Sequence, residues 1–213
     1  MDDHSMPKLK NHFPRTYSMV RLVFNKESYL YKSGWMESLK RGYPSDRKGN
    51  PLPWMNGAVV RILDERLNPG LRLFEYGCGY STLFYAKRTE RVVSVEHNES
   101  WAKLVNDRLP KNAEVLVKPK QEYAGAIHTI DQMFDVVIVD GIDRVNCMMN
   151  GLQRLNETGV LLLDDSSRKE YNEGIDYARR QGFKSLTFSG LKPTGIGVDE
   201  TTIFYRTQNC FGI

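Results

Sequence analysis

The chain has 213 residues, of which 40% are hydrophobic and 26% charged, as expected for one ordinary globular domain. Its longest apolar runs, such as Val136–Val139 and Val160–Leu163, are far shorter than the roughly 18 residues of a membrane-spanning helix. The acidic start MDDHSMPKLK lacks the basic region of a signal peptide, so we expect a cytoplasmic protein without a membrane partner.

Charge is distributed unevenly along the chain, whose net charge is +4. Residues 1–72 hold 13 Lys and Arg against 7 Asp and Glu, and the remainder holds 17 against 19. A basic N-terminal region attracts anionic substrates, or is simply a solvated surface. The basic residues are scattered, which argues against a nucleic-acid partner.

Three widely spaced cysteines argue against a disulfide framework or a structural zinc site. Nothing in the sequence indicates an oligomeric state.

Residues 1–53 show little periodicity. They contain five prolines, including Pro7, and a turn-rich stretch, GYPSDRKGNPLP. Seven aromatic residues, from Phe13 to Tyr43, are too many for a disordered tail. We interpret residues 1–53 as an N-terminal cap or lid with one or two short helices, and residues 54–213 as the main domain.

From Trp54 onward, apolar residues recur first at helical spacing and then in alternating strands and helices. The predicted strands are Leu71–Tyr76, Arg91–Glu96, Glu114–Val117, Phe134–Asp140 and Gly159–Asp164. The predicted helices lie near 81–88, 99–109, 121–130, 144–156 and 169–181. Nearly continuous apolar strands indicate a parallel sheet that is buried on both faces.

The end of the chain changes character. Two strand-like runs, Phe183–Ser189 and Thr201–Arg206, flank the loop GLKPTGIGVDE without an intervening helix. They predict an antiparallel hairpin at one edge of the sheet. The expected fold class is therefore α/β: a Rossmann-like, doubly wound, mainly parallel seven-stranded sheet with an antiparallel C-terminal hairpin.

The strongest chemical signal is LFEYGCGYST, in which an apolar strand leads into a Gly-x-Gly turn and a helix. Gly77 and Gly79 permit a tight turn and close approach of a ligand to the backbone. Ser81 or Thr82 is expected to cap the helix that follows. Cys78, within the turn, is expected to be a small loop residue rather than a nucleophile.

A second signal is VVSVEH, a strand that ends in a carboxylate. Glu96 lies 17 positions after Gly79, where an acid can accept hydrogen bonds from both hydroxyls of an adenosine ribose. His97 either borders the adenosine or is a polar residue at the strand end.

These two signals fit a nicotinamide-dependent oxidoreductase or a methyltransferase. The loop lacks the third glycine of dinucleotide binders, which favours the methyltransferase. Glu75 also lies two residues before Gly77, where an acid can meet the positive amino end of a methionine. The terminal hairpin after five alternating strands also favours the methyltransferase.

FEYGCGYST, VVSVEHNESW, FDVVIVDG and GVLLLDD together resemble the motifs of the class I methyltransferases that depend on S-adenosylmethionine (SAM), over about residues 55–206. The segments around Trp54 and GLKPTGIGVDETTIFYR are similar to a subset associated with bacterial glycan or secondary-metabolite O-methylation. The resemblance implies that the SAM pocket is lined by Glu75, Gly77, Cys78, Gly79, Ser81, Thr82, Glu96, His97, Asp140 and Gly141.

Three acids lie at strand ends: Asp140 ends one strand, and Asp164 and Asp165 end the next. The arrangement resembles metal-dependent O-methyltransferases, which implies a Mg²⁺ or Ca²⁺ ion on these carboxylates. Asp143 and Arg144 stand where that group has its customary lysine. The alternative is that Asp164 and Asp165 cap the next segment and bind loop N–H groups.

The predicted activity is O-methylation of a hydroxyl on a small molecule or saccharide. A hydroxyl is a poor nucleophile while protonated, so the candidate bases are Asp140, Asp143 and Asp165. Trp54 and Arg144 are candidate substrate contacts. The alternatives are a SAM-binding module without catalysis and an NAD(P)-dependent oxidoreductase.

Overall fold

The computed structural model describes residues 10–213, so the acidic start and Pro7 lie outside the described residues. Three short helices come first: α1 (Pro14–Phe24), α2 (Tyr29–Lys32) and α3 (Trp35–Arg41), one more than the sequence predicted. Helix α3 lies between two glycines, Gly34 and Gly42, whose φ angles are 81° and 72°. Left-handed glycines of this kind end helices, which keeps these elements short.

The rest of the described chain alternates between strands and helices, as predicted. The elements are α4 (Gly57–Arg66), β1 (Arg72–Tyr76), α5 (Tyr80–Ala86), β2 (Arg91–Glu96), α6 (Glu99–Asn106), β3 (Ala113–Val117), α7 (Lys120–Tyr123), β4 (Phe134–Val139), α8 (Arg144–Gln153), β5 (Leu155–Asp164), α9 (Asn172–Arg180), β6 (Lys184–Leu191) and β7 (Val198–Tyr205). No described helix combines the length and apolar character needed to cross a membrane.

The seven strands form one sheet in the order β3-β2-β1-β4-β5-β7-β6. The first five strands pair in parallel, and β7 lies antiparallel between β5 and β6. Successive side chains of β1 enter two separate cores: Phe74 and Tyr76 pack on one face, and Leu73 packs on the other. This two-sided burial explains the continuous apolar strands, and the predicted fold class is confirmed.

Some predicted boundaries were wrong. The helix expected at 121–130 is divided into α7 and a 3₁₀ turn, Ala126–Thr129, with Gly125, a poor helix former, between them. The helix expected from 169 begins with a 3₁₀ turn, Lys169–Tyr171. Strand β5 starts four residues earlier than predicted, because Leu155 pairs with Phe134 across an irregularity in the register.

Candidate functional site

A crevice opens where β1, β2 and β4 end. We call it the Gly77 crevice, and its lining consists of Glu75, Gly77, Cys78, Ser81, Glu96, His97, Tyr123, Asp140, Gly141 and Ile142. Parallel neighbouring strands end at the same edge of a sheet, which brings residues far apart in sequence to one place. Eight of the ten residues predicted to line a SAM pocket lie here, and the other two, Gly79 and Thr82, belong to the adjoining turn and helix.

Two backbone segments approach each other closely at the base of the crevice. Gly77 has a φ of 105°, and its N–H donates to the Val95 carbonyl oxygen at 2.9 Å. A Cβ atom at Gly141 would lie only 2.0 Å from Tyr123 Oη and 3.1 Å from the Gly77 nitrogen. Both positions therefore need glycine, and the main chain itself forms this surface.

Glu75 is only 2% exposed, yet no cationic side chain among residues 10–213 forms an ion pair with it. Its carboxylate instead accepts hydrogen bonds from three hydroxyls: Ser81 Oγ, Thr82 Oγ1 at 2.6 Å and Ser94 Oγ at 2.6 Å. Burial raises the pKa of Glu75 to about 7, and the three hydroxyls offset part of this effect.

The expected helix cap is only partly as predicted. Thr82 Oγ1 accepts a hydrogen bond from the Gly79 N–H at 3.0 Å and so caps α5. Ser81 does not cap the helix, because its hydroxyl donates to Glu75. Burial raises the pKa of the Cys78 thiol, in agreement with its interpretation as a loop residue rather than a nucleophile.

Glu96 is positioned by the turn that follows β2. Its Oε1 atom accepts hydrogen bonds from the N–H groups of His97 and Asn98, at 2.8 and 2.9 Å, and lies 2.8 Å from His97 Nδ1. Within residues 10–213, its Oε2 atom accepts no hydrogen bond from a protein group. The carboxylate is thus fixed through one oxygen, and the other remains available.

Tyr123 was missed by the sequence reasoning, which predicted only the helix near 121–130 in which it lies. The residue is fully buried, and its ring meets the His97 ring edge-on with a centroid distance of 6.1 Å. The residue lines the crevice, and its buried Oη atom has no hydrogen-bond partner in the described part of the chain. A buried hydroxyl in this state is an unsatisfied donor in the wall of the crevice.

The Arg144 guanidinium joins the ends of β4 and β5. It pairs with Asp140 Oδ1 at 3.0 Å, donates to the Gly141 carbonyl oxygen at 3.0 Å, and also donates to the Asp164 carbonyl oxygen. Burial raises the pKa of Asp140, as does the nearby charge of Asp164, while Arg144 opposes both effects. Asp143 is exposed and faces Asn146, so Asp140 alone among the candidate bases lines the crevice.

The carboxylates proposed as metal ligands already surround a lysine. Lys192 Nζ lies 2.6 Å from Asp164 Oδ2, 2.5 Å from Asp165 Oδ1 and 2.7 Å from Asp199 Oδ2. In the described residues, no group of three or more His, Cys, Asp or Glu side chains has the arrangement of a metal site. Asp140, Asp164 and Asp165 therefore do not fit a divalent cation. The loop N–H alternative was also wrong, because side chains are the partners.

Sequence patterns gave no signal for Lys192 and Asp199, since charged residues in a turn-rich loop are ordinarily solvated. Burial opposes the charge on Asp165, but Lys192, Arg144 and Arg168 together lower its pKa below the ordinary value. Burial likewise opposes the charge on Lys192, but the surrounding carboxylates raise its pKa above the ordinary value. Lys192 is therefore a permanent cation.

A second cavity, which we call the cap cavity, lies under the N-terminal helices and has a volume of about 410 Å³. Its lining includes Trp35, Leu52, Met55, Phe84 and Lys192. The N-terminal region also contacts α5, because the rings of Tyr43 and Tyr80 stack with a centroid distance of 4.3 Å. Trp54, predicted to contact the substrate, is 51% exposed and does not line this cavity.

A family model described as a methyltransferase domain matches residues 74–166, which contain the Gly77 crevice and the ends of β1, β2, β4 and β5. Residues 74–166 thus resemble a methyltransferase domain, and this match covers less than half of the 213-residue chain. A comparison with curated proteins finds no match.

Solved methyltransferase structures share the fold at low sequence identity. An O-methyltransferase from Bacillus cereus, solved with SAH, has 17% identity and a TM-score of 0.58, over 89% of this chain and 96% of that one. TomG from Streptomyces achromogenes, solved with SAM, has 18% identity and a TM-score of 0.55, over 89% and 95%. An rRNA methylase from Streptococcus thermophilus has 16% identity and a TM-score of 0.56, over 70% and 93%.

The raised pKa of Glu75 predicts a pH dependence of the stability of this protein. Folded Glu75 keeps its proton up to about pH 7, whereas the unfolded residue loses it near the ordinary value of 4.5. The folded state holds more protons between these values, so the free energy of unfolding falls as the pH rises through this window. Glu75→Gln is expected to make this fall shallower, while Asp140 and Asp164 keep their contributions.

Urea denaturation of the ligand-free protein at several pH values between 4.5 and 8 measures this effect. Glu99→Gln is the matched control, because Glu99 is an exposed acid on α6. A Glu75→Gln protein with an unchanged slope would contradict the assignment of the raised pKa to Glu75.

Proposed function

We propose that this methyltransferase transfers the methyl group of SAM to a hydroxyl of a small molecule or saccharide, with SAM bound in the Gly77 crevice. The observation that carries the proposal is the combination of main chain exposed at Gly77 and Gly141 with one free oxygen on the Glu96 carboxylate. When bound, SAM supplies a methyl group already activated on a sulfonium.

Each side of the crevice suits a different part of the donor. The Gly77 turn offers main-chain groups to the amino-acid end, and the positive amine of that end favours the charged form of Glu75 behind the turn. Glu96 Oε2 is placed to accept a ribose hydroxyl, since its other oxygen is held by the turn. Tyr123 Oη has no hydrogen-bond partner among the described protein groups, so its O–H is free to donate to SAM.

Asp140 is the proposed base for the acceptor hydroxyl. It lines the crevice, and a carboxylate with a raised pKa removes a proton more readily than an ordinary one. Arg144 holds Oδ1, so the proton is accepted on Oδ2. Arg144 is thereby proposed to orient the base rather than to contact the substrate.

The acceptor is proposed to occupy the cap cavity. The cavity volume of about 410 Å³ lies in the range of small-molecule pockets, and half of the residues that line it are aromatic or aliphatic. The O-methyltransferase from Bacillus cereus and TomG, which takes part in tomaymycin synthesis, support a hydroxyl on a small molecule.

A turnover screen with the full chain tests the acceptor class. SAH release is measured with hydroxylated sugars, phenols, small amines and ribosomal RNA, and the products are identified by mass spectrometry. We expect O-methyl products from a sugar or a phenol. Methylation of RNA alone, with a steep dependence on salt, would replace this proposal with the activity of the rRNA methylase. SAM binding without turnover would indicate a binding module.

Glu96→Ala is expected to weaken SAM binding by about 2–5 kcal/mol, the cost of losing one or two hydrogen bonds to a charged group. Isothermal titration calorimetry with SAM measures the change. Glu99→Ala removes the same charge three residues later on exposed α6 and is expected to bind SAM normally. Equal affinities in the two variants would show that Glu96 does not hold the ribose.

Tyr123→Phe is expected to lower SAM affinity about 3- to 10-fold, because one neutral hydrogen bond is lost. Ligand-free Tyr123→Phe is expected to be at least as stable as the original chain, because the removed hydroxyl has no partner there. Calorimetry and urea denaturation measure the two quantities.

Tyr76→Phe is the matched control, since Tyr76 Oη donates to the Ala124 carbonyl oxygen at 2.9 Å away from the crevice lining. It is expected to lose about 1 kcal/mol of stability and to keep its SAM affinity. A Tyr123→Phe variant that is less stable but binds SAM normally would refute the ligand contact.

A further inference from the structure

Every carboxylate oxygen around Lys192 already has a hydrogen-bond or ion-pair partner. We call Lys192, Asp164, Asp165 and Asp199 the Lys192 cluster. Its ammonium has three N–H donors and meets three carboxylates, one oxygen of each. The other three oxygens accept hydrogen bonds from Thr201 Oγ1 at 2.7 Å, Arg168 Nη2 at 2.7 Å and the Glu200 N–H at 2.8 Å. All six carboxylate oxygens are therefore engaged.

Such a cluster needs a cation to exist. Asp164 is fully buried, Asp165 adjoins it in sequence, and Asp199 approaches from the start of β7. Carboxylates brought together away from water repel one another strongly unless a positive charge lies between them. Lys192 occupies the position between them, which is where a divalent cation would otherwise reduce the repulsion.

The same lysine anchors the segment between β6 and β7, residues 192–197. Three residues further on, the Gly195 carbonyl oxygen accepts a hydrogen bond from Trp35 Nε1 at 2.8 Å. The segment is thus held to the sheet edge by Lys192 and to the N-terminal helix α3 by Trp35. Both residues, together with Pro193, line the cap cavity.

We propose that the ammonium of Lys192 is a built-in replacement for a divalent cation at the end of β5, which anchors segment 192–197 as a wall of the acceptor site. Methyl transfer then requires no metal, and Lys192 acts as a positioning residue. This inference rests on the proposed function for the identity of the cap cavity as the acceptor site.

A cation-binding experiment tests the replacement without any need for turnover. Mn²⁺ is titrated into the full chain and into Lys192→Ala, and bound ion is measured by electron paramagnetic resonance. The original chain is expected to bind no Mn²⁺ at this cluster, and Lys192→Ala is expected to bind one. The proposal would be overturned if the original chain bound Mn²⁺ and Asp199→Asn did not. It would also be overturned if Lys192→Ala bound no Mn²⁺.

Kinetics with the acceptor found in the screen test the positioning role. Lys192→Met keeps the apolar stem and removes the charge. It is expected to lower kcat/KM for the acceptor by about 100-fold while SAM affinity changes less than about twofold. Lys192→Arg is expected to recover most of the loss, because a guanidinium restores the charge. Lys184→Met, at the exposed start of β6, is the matched control.

The outcomes separate the two proposals. Failure of the original chain to bind SAM refutes the proposed function, and the Mn²⁺ titration still tests Lys192. Normal SAM binding with turnover that EDTA abolishes and Mg²⁺ restores overturns the built-in cation. An unchanged kcat/KM in Lys192→Met also overturns the built-in cation. Where kcat/KM falls, urea denaturation shows whether the variant has simply unfolded.

Discussion

Four parallel strands carry their terminal carboxylates to one edge of the sheet, and the site is arranged around the repulsion among them. The four acids lie at or next to the last residues of β1, β2, β4 and β5: Glu75, Glu96, Asp140 and Asp164. Each is compensated by different chemistry. Hydroxyls surround Glu75, main-chain N–H groups hold Glu96, a guanidinium pairs with Asp140, and an ammonium pairs with Asp164. Without these partners, the buried acids would have to take up protons or the strand ends would have to separate.

These different partners give neighbouring carboxylates different proton affinities. Neutral hydroxyls hold Glu75 without cancelling the cost of burial, so its pKa stays near 7. Cations on Asp165 lower its pKa in spite of burial, and Asp140, with one guanidinium and a nearby acid, keeps a raised pKa. A site with both kinds of carboxylate can keep one permanently charged for positioning and use another as a base. Asp140 and Asp165 differ in this way although Arg144 lies only 3.0 and 3.4 Å from them, respectively.

The sequence predicted the fold and the Gly77 crevice because both depend on local patterns. Strand β2 was predicted to the residue, since charged Arg91 and Glu96 bound an apolar run. The strand-turn-helix around Gly77 is likewise a local unit, and parallel strand order then brings Asp140 beside it. Lys192, Asp199 and Tyr123 were not predictable in the same way. Their roles come from burial and from contacts between distant segments, which no short pattern encodes.

The Gly77 crevice and the cap cavity are therefore built by different means. The crevice is made from consecutive strand-helix units in the middle of the chain. The cap cavity joins the chain's two ends: Trp35 bonds to Gly195 across 160 positions, and Asn56 Nδ2 donates to the Phe188 carbonyl oxygen across 132. Thr201, the neighbour of Phe188 in the hairpin, donates in turn to Asp164. Local units tolerate little change, because each glycine and acid is fixed by its own turn. Long-range contacts can change in one partner at a time, so the wall of the cap cavity, which we propose as the acceptor site, can vary while the crevice is retained.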